Sequence, residues 1–292
     1  MEASRPETGS RLGIIAGGGR LPLYVAEAAR VHGEDPYILA LTDESEQDWA
    51  AFDHAVVGVG DYGGMSRIFA REGIGRVVLS GAVRRRPEWR EIRPNIRTLL
   101  QVPGIIRTLL NGGDDTVLKM VIRLIEANGV RVVGADEIAP ELLATEGPIG
   151  GVSPDADDRR DIAAASAAAL ALGALDVGQG AVAVGGRVIA LEGAEGTDQM
   201  LERVQALREE GRISSRRKGV LVKLCKPRQD TRADLPSIGA DTVRRAAAAG
   251  LAGIACEAGR SLVLDRDLLV KEADGAGLFV TGIVPRIAGE GK

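Results

Sequence analysis

A short run of glycines near the start of the chain constrains the fold most. Residues 11–16 are apolar after Arg11 and predict a buried strand, and Gly17, Gly18 and Gly19 follow it directly. A helix is predicted from Leu21 to Arg30, because a proline in the first turn favours a helix start. Strand, glycine turn and helix in this order are typical of a mononucleotide-binding unit. The chain is therefore predicted to begin with an α/β fold.

The same alternation continues through the first half of the chain. Apolar runs predict further strands at residues 36–41, 55–58, 76–80 and 130–133. Helical periodicity falls between them, at residues 65–72 and 114–128. Strands that alternate with helices indicate an open parallel sheet. We predict an N-terminal Rossmann-like domain with a doubly wound parallel sheet over residues 11–139.

The second half is predicted to form another α/β domain. Residues 140–153 contain proline and glycine with little periodicity, which is typical of an interdomain linker. Residues 154–285 follow as the second domain, in which residues 181–191 form a β-hairpin across Gly185-Gly186. A hairpin is antiparallel, so this sheet is expected to be mixed. The other predicted elements are helices at 155–172, 197–208, 241–249 and 267–274, and strands at 219–223, 253–256, 261–264 and 278–283.

Composition excludes several classes of function. Two cysteines without CxxC spacing and two histidines argue against a zinc module and a disulfide scaffold. A net charge of −4 and 3% aromatic residues argue against nucleic acid as a partner. The first ten residues lack a signal-peptide pattern, and no later run has the length of a membrane span. A cytoplasmic protein is predicted, with homo-oligomer formation left open.

Two small-residue loops are candidates for binding phosphate in the first domain. Gly18 and Gly19 follow the first strand, and Ser80 and Gly81 follow a later one, so all are predicted at the carboxyl edge of the sheet, where open α/β sheets bind ligands. A dinucleotide fingerprint would require glycine at position 22, where Pro22 stands, so NAD or FAD is disfavoured. The alternative is that the glycines only form a tight turn.

Carboxylates and lysines are concentrated in the second half. Glu195, Asp198 and Asp234 would together make an oxygen-rich site suited to Mg²⁺, and Lys223 and Lys226 could neutralise phosphate oxygens. This pattern favours metal-assisted phosphoryl chemistry. Two simpler interpretations stay open. Thr197 or Asp198 could cap the next helix, and residues 226–236 could be an ordinary charged loop.

Five motifs in order resemble one family. They are residues 12–22, Asp176-Val-Gly-Gln-Gly180, Glu195-Gly-Thr-Asp198, residues 226–239 and residues 249–254. Together they resemble the LpxI-type UDP-2,3-diacylglucosamine pyrophosphatases of lipid A synthesis. The resemblance implies Mg²⁺-dependent hydrolysis of UDP-2,3-diacylglucosamine to UMP and 2,3-diacylglucosamine 1-phosphate (lipid X), in the cytoplasm of Gram-negative bacteria. It also implies a ligand held between two domains.

The resemblance also implies roles for individual residues. Asp234, which precedes Leu-Pro in the family signature, is expected to be essential as a metal ligand or a water-orienting carboxylate, with Asp230 ranked second. Glu195, taken from the oxygen-rich cluster and not from the resemblance, is a further candidate metal ligand. The expected contacts to phosphate or sugar are Gly18, Gly19, Gln179, Thr197, Lys223 and Lys226, with Ser80, Gly81 and Asp198 added from their positions. Spacing alone does not choose between Asp230 and Asp234.

A diacylated substrate requires an apolar surface. Apolar helices within residues 96–110 are candidates for it, although ordinary core packing explains the same pattern. Such a substrate implies peripheral contact with the inner membrane without spanning it. Two other functions stay open: a non-catalytic carrier or sensor of an acylated nucleotide sugar or lipid X, and a nucleotide-sugar or dinucleotide oxidoreductase.

Overall fold

The chain divides into two compact units. The computed structural model describes residues 10–83, 114–214, 216–227, 229–232 and 234–285, so the predicted helices within 96–110 lie outside the described residues. Unit 1 comprises Met1–Pro140 together with Asp230–Asp234, and unit 2 comprises Glu141–Gln229 and Leu235–Lys292. The short segment Asp230–Asp234 therefore belongs to unit 1, although it comes late in the chain. A division of the sequence into contiguous domains places it in the second domain.

Unit 1 contains a parallel five-stranded sheet. Its strands are β1 (Arg11–Ala16), β2 (Tyr37–Leu41), β3 (His54–Val57), β4 (Ile74–Ser80) and β5 (Arg131–Val133). They lie in the order β3-β2-β1-β4-β5. Ile14, Ile38 and Leu39 are fully buried in the sheet. Continuous apolar strands are expected where helices cover a parallel sheet. The predicted Rossmann-like domain is confirmed.

The helices of unit 1 begin and end at residues whose chemistry explains the boundary. They are α1 (Leu21–Val31), α2 (Tyr62–Glu72), α3 (Asp114–Glu126) and α4 (Ala135–Ile138). Helix α2 begins three residues before the predicted Met65, because the Asp61 carboxylate accepts a hydrogen bond from Gly64 N at 2.9 Å. It ends at Gly73, whose φ of 66° is the left-handed conformation that glycine adopts readily.

Unit 2 contains a mixed six-stranded sheet. Its strands are β6 (Gly147–Pro148), β7 (Gly180–Val184), β8 (Arg187–Leu191), β9 (Val220–Lys223), β11 (Gly253–Glu257) and β13 (Phe279–Ile283). They lie in the order β6-β13-β11-β9-β7-β8. Strands β9, β11 and β13 are parallel, while β7 is antiparallel to both β8 and β9. The predicted mixed sheet is confirmed.

A second, two-stranded sheet in unit 2 was not predicted. Strand β10 (Ser237–Ile238) pairs in parallel with β12 (Leu262–Val263). Strand β12 lies within the predicted strand at residues 261–264, whereas β10, with two residues, is too short to show a strand period. The helices of unit 2 are α5 (Ala156–Ala174), α6 (Gly196–Glu209), α7 (Ala240–Ala248) and α8 (Arg266–Ala276). No helix among the described residues combines the length and the apolar character that crossing a membrane requires.

Part of the predicted linker is an edge strand of the unit 2 sheet. Strand β6 pairs antiparallel with β13, with Gly282 opposite Gly147 and Thr281 opposite Pro148. Proline lacks a backbone donor and is therefore found in edge strands. The backbone of Ala144 also donates to Ser261 O at 2.8 Å. The proline and glycine that suggested a linker thus belong to the sheet margin.

The β7–β8 hairpin turns where the sequence predicts it, and a buried carboxylate supports the turn. Gly185 and Gly186 have φ values of 63° and 79°, the pair of positive values that a tight hairpin turn requires. Asp161 of α5 is 4% exposed. Its carboxylate accepts hydrogen bonds from the amides of both glycines, the one from Gly185 at 3.0 Å. The turn is therefore tied to the helix that covers it.

We expect Asp161→Ala to lower the free energy of unfolding by about 2–3 kcal/mol, because two backbone donors would lose a charged acceptor in a buried position. Urea unfolding of the wild type and the variant measures this change. Asp157→Ala on the same helix is the matched control, since Asp157 is 79% exposed and pairs with Arg160 at the surface; its effect should stay within about 0.5 kcal/mol. Equal unfolding midpoints for the two variants would contradict this account of the turn.

Candidate active site

In unit 1 the two predicted small-residue loops come together. Strand β1 lies beside β4 in the order β3-β2-β1-β4-β5. Between these two strands the order of strand addition reverses direction, and doubly wound sheets bind ligands at this switch point. Gly17 N donates to Ser80 O at 2.8 Å, and Gly18 and Ala82 exchange two backbone hydrogen bonds of 2.7 and 3.1 Å. The amides of Gly17 and Gly18 therefore hold the loops together and do not face a ligand.

Gly81 and Gly19 are glycines for different structural reasons. A Cβ on Gly81, whose φ is 86°, would lie 2.6 Å from Gly18 O, so loop packing excludes any larger residue. Gly19 has a φ of 81° and no atom within 4 Å of the position of a Cβ. Close packing of the two loops therefore accounts for Gly81, whereas Gly19 faces open space beside the start of α1. Of the glycines in this run, Gly19 is the better candidate for contact with a ligand.

Ser80 has a polar atom without a partner at the same edge. The residue is 5% exposed, and its Oγ accepts or donates no hydrogen bond among the described residues. Buried hydroxyl groups are nearly always hydrogen-bonded. Ser80 is thus the polar side chain that a ligand or a water molecule would satisfy at this edge.

The segment Asp230–Asp234 distinguishes its two aspartates. Arg232 donates to both carboxylate oxygens of Asp230, at 2.9 Å from Nε and 2.7 Å from Nη2, and its Nη1 donates to Glu126 of α3 at 2.9 Å. The hydrogen bonds from Arg232 hold the pKa of Asp230 below its ordinary value, against the opposing effect of burial. Asp230 is therefore committed to a bidentate ion pair, a structural role.

Asp234 differs from Asp230 in its surroundings. It is exposed, whereas the next residue, Leu235, is buried at 6% exposure. The two aspartates thus differ in exposure, and Asp230 makes the bidentate contact with Arg232, a difference that spacing could not show.

In unit 2 several motif segments meet at one edge of the sheet. Strands β7 and β9 are antiparallel, with Gly180 opposite Lys223, so the start of β7 lies beside the end of β9. Leu224 N donates to Gln179 O at 2.9 Å, and Glu192 N donates to Gly180 O at 2.9 Å. Motifs that are far apart in the sequence are thereby brought together.

A buried carboxylate without a predicted role lies at the centre of this edge. Glu192 is 6% exposed. Its Oε1 accepts a hydrogen bond from Thr197 Oγ1 at 2.7 Å, and its Oε2 accepts one from Gln179 N at 3.2 Å. Any Cβ at Gly180 would lie 2.7 Å from that Oε2. Glu192 stands in a stretch of the sequence that is rich in carboxylates, but nothing in its spacing marks it out.

The alternative that Thr197 or Asp198 caps helix α6 is wrong. Glu195 occupies the cap position without a side-chain hydrogen bond to the helix, and both other residues lie in the first turn. The Thr197 hydroxyl is instead directed to Glu192. Asp198 pairs with Arg245 at 3.3 Å.

Glu195 fits a metal ligand poorly. Its carboxylate pairs with Arg203 at 2.6 Å, and backbone hydrogen bonds, followed by the charge of Arg203, hold its pKa below the ordinary value. Over the described ranges, no group of three or more histidine, cysteine or acidic side chains is placed to hold a metal ion. The predicted Mg²⁺ site therefore stays a prediction.

The two lysines of this region have different partners. Lys223 is 7% exposed, and its Nζ donates to the neutral carbonyl of Ser237 at 3.1 Å. Lys226 forms an ion pair with Asp176 at 2.8 Å. Because a carboxylate already offsets the charge of Lys226, Lys223 is the stronger candidate for neutralising a phosphate.

Glu257 and Arg260 extend the site beyond the predicted residues. Glu257 is 7% exposed and accepts from Cys225 N at 2.9 Å and from Arg260 Nη1 at 3.2 Å. Arg260 Nη2 lies 3.3 Å from Cys225 Sγ. These contacts hold the chain where it leaves β9. Both residues follow the strand predicted at residues 253–256, where no motif of catalytic or binding residues marks them, so neither was predicted.

Comparisons with known proteins give matches over nearly the whole chain. Family models described as the LpxI N-terminal domain and the LpxI C-terminal domain match residues 11–142 and 145–281. The chain is 41% identical over 278 residues to "UDP-2,3-diacylglucosamine pyrophosphatase LpxI" of Caulobacter vibrioides, covering 94% of this chain and 98% of the relative.

A solved structure of the UDP-glucose 4-epimerase of Thermus thermophilus in complex with NAD is also similar, at 15% identity over 94% of this chain and 87% of the other. Its TM-score of 0.28 is too low to carry an argument. The family assignment depends on the two domain models and on the relative from Caulobacter, which together span nearly the whole chain. The chain therefore belongs to the LpxI family of UDP-2,3-diacylglucosamine pyrophosphatases.

Proposed function

We propose that this protein hydrolyses UDP-2,3-diacylglucosamine to UMP and 2,3-diacylglucosamine 1-phosphate in lipid A biosynthesis. The observation that carries the proposal is the 41% identity to the Caulobacter pyrophosphatase over nearly the full length of both chains. The geometry supports it, because Gln179, Thr197, Lys223 and Lys226, which come from separate motifs, meet at one edge of unit 2. The family resemblance predicts that the substrate lies between the two domains, and that placement stays a prediction.

The reaction exchanges one phosphorus–oxygen bond for another. Water attacks one phosphorus of the diphosphate, the bridging bond breaks, and the bridging oxygen leaves with the other phosphate. We assign the orientation of this water and the acceptance of its proton to the carboxylate of Asp234. Lys223 would offset negative charge that develops on the phosphate oxygens, and its burial would strengthen that interaction.

Mg²⁺ dependence is a separate part of the proposal. Mg²⁺ is commonly held by one or two carboxylates together with substrate phosphates and water, so a preformed protein cage is not required. The family resemblance assigns this role to Asp234, and Glu195 suits it less well, because Arg203 already pairs with the carboxylate of Glu195. A bound Mg²⁺ would supply charge stabilisation at the phosphate oxygens.

The place of the reaction follows from the chemistry of the substrate. Two acyl chains hold UDP-2,3-diacylglucosamine in a membrane, because burying each methylene in lipid is favourable. We therefore also propose that the enzyme works at the membrane surface.

Incubation of the purified protein with UDP-2,3-diacylglucosamine tests the activity. We expect mass spectrometry to show UMP and 2,3-diacylglucosamine 1-phosphate in equal amounts, with EDTA stopping the reaction and added Mg²⁺ restoring it. Intact substrate recovered from the protein would contradict hydrolysis and favour a carrier. Equal rates with and without EDTA would remove only the Mg²⁺ proposal. In ¹⁸O-labelled water, label in UMP indicates attack at the α-phosphorus and label in the lipid product indicates attack at the β-phosphorus.

A further inference from the structure

We propose that Glu192 fixes Thr197 as a hydrogen-bond acceptor, so that Thr197 recognises a hydroxyl or amide donor of the substrate and not a phosphate oxygen. The proposal rests on the proposed function and specifies one of its contacts. It narrows the sequence prediction, which left Thr197 facing either phosphate or sugar.

The argument begins with the number of donors on a hydroxyl group. A threonine hydroxyl has one hydrogen to donate and two lone pairs that accept. Thr197 Oγ1 lies 2.7 Å from Glu192 Oε1, the short distance typical of a hydroxyl that donates to a carboxylate. The hydrogen of Thr197 is therefore directed away from a ligand, and only lone pairs remain. A phosphate oxygen is itself an acceptor and could not bond to them.

Glu192 is held in place, so this orientation is maintained. Its other oxygen, Oε2, accepts from Gln179 N at 3.2 Å, and the side chain is buried. Gly180 packs against Oε2 closely enough that a Cβ there would lie 2.7 Å away. Rotating the carboxylate would leave the partly buried backbone N–H of Gln179 without its acceptor, which is unfavourable. The acceptor of the Thr197 hydroxyl, Glu192 Oε1, is therefore fixed in position.

Gln179 points to the same ligand chemistry. Its side-chain carbonyl Oε1 is buried and accepts no hydrogen bond within the part of the chain that the structure describes. Its backbone is bonded to the same Glu192 carboxylate as Thr197. Thr197 Oγ1 and Gln179 Oε1 are therefore two acceptors, on residues that both donate to Glu192, that a ligand donor could satisfy. UDP-2,3-diacylglucosamine offers such donors in its sugar hydroxyls, its amide N–H, its ribose hydroxyls and the N3–H of uracil, whereas its phosphates suit the ammonium group of Lys223.

The experiment combines substrate analogues with two Thr197 variants. Each analogue removes one donor: 4-deoxy or 6-deoxy glucosamine, 2′-deoxy or 3′-deoxy uridine, N3-methyluracil, or an ester in place of the amide. Thr197→Val removes the hydroxyl at nearly constant shape, and Thr197→Ser retains it. On the full substrate we expect Thr197→Val to lower kcat/KM about tenfold, chiefly through KM, and Thr197→Ser to stay within about twofold. On one of the analogues Thr197→Val should cause no further loss.

Two results would overturn the proposal. In the first, Thr197→Val lowers kcat/KM by the same factor on every analogue as on the full substrate, which would mean that no donor group pairs with Thr197. In the second, Thr197→Val leaves kcat/KM on the full substrate unchanged. The wild-type rate on the full substrate tests the proposed function separately, because the proposal here concerns only the differences between variants.

Glu192→Gln tests the role of the carboxylate. A glutamine can donate to Thr197 Oγ1 and so release the threonine hydrogen, and we expect about a tenfold lower kcat/KM. Thr197→Val added to Glu192→Gln should then cause little further loss. The matched control is Glu210→Gln, since Glu210 is 59% exposed and pairs only with the surface residue Arg212 among the ion pairs described; it should match the wild type. Full activity of Glu192→Gln, with an unchanged melting temperature, would show that the orientation of Thr197 does not matter.

Discussion

Replacing Asp234 by asparagine is expected to lower kcat by about 10²–10⁴-fold, the range seen when a general base or water-orienting carboxylate is lost. Asparagine keeps the shape of the side chain and removes its charge and its ability to accept a proton. Because Asp234 is exposed, the variant should fold normally. The rate of UMP release from UDP-2,3-diacylglucosamine measures the effect.

Two other aspartates of unit 1 serve as comparisons. Asp35→Asn is the matched control, since Asp35 is 86% exposed and pairs with Arg11 at the surface, and its rate should equal that of the wild type. Asp230→Asn should have an intermediate effect, because it weakens the bidentate pair with Arg232 that holds the segment. If Asp234→Asn retained turnover within tenfold of the wild type while Asp230→Asn abolished it, the roles assigned to the two carboxylates would be reversed.

The largest expected effect on stability is that of Phe279→Ala, about 3–5 kcal/mol. Phe279 is 1% exposed and is among the largest fully buried side chains. Its ring packs on Gly253 of the neighbouring strand, 2.5 Å from where a Cβ would lie, and on a cluster that includes Val220 and Val222. Removing the ring leaves a cavity between α5 and the sheet that the glycine cannot fill. Urea unfolding, followed by a probe in unit 2, measures the loss.

Two variants show whether the loss comes from the cavity. Phe279→Leu should destabilise by about 1–2 kcal/mol, since it retains part of the buried apolar volume. Val284→Ala, beyond the end of the same strand, should change stability by less than about 0.5 kcal/mol, because Val284 is 65% exposed. Equal unfolding midpoints for Phe279→Ala and Val284→Ala would show that the ring does not support the core.

Most of the secondary structure could be predicted because it depends on local patterns. The Gly185-Gly186 pair identified the hairpin, since few other residues adopt two successive positive φ values. Apolar runs identified the strands of both sheets. The predictions were less accurate where an element is short or lies at an edge, as with β6, which contains glycine and proline and pairs only through β13 among the described strands.

The site was predicted less completely than the fold. The family resemblance identified Asp234, Gln179 and Thr197 as candidate site residues, but it gave no role to Glu192 or Glu257. A buried carboxylate has no signature in the sequence, because its role depends on which donors the fold places around it. Thr197 shows the same limit: its position at the start of a predicted helix indicated a cap, and its actual partner is Glu192 at the end of β8.

The sequence by itself determined the α/β class of both halves, most of their strands and the family, since these depend on local periodicity, turn chemistry and ordered motifs. Only the tertiary structure decided the surroundings of each carboxylate. Asp230 is held by Arg232 and Glu195 by Arg203, while Asp234 lies exposed in a segment that belongs to unit 1. The physical reason is that hydrogen bonding and charge act over a few ångströms, and the residues involved are brought within that range only by the folded chain.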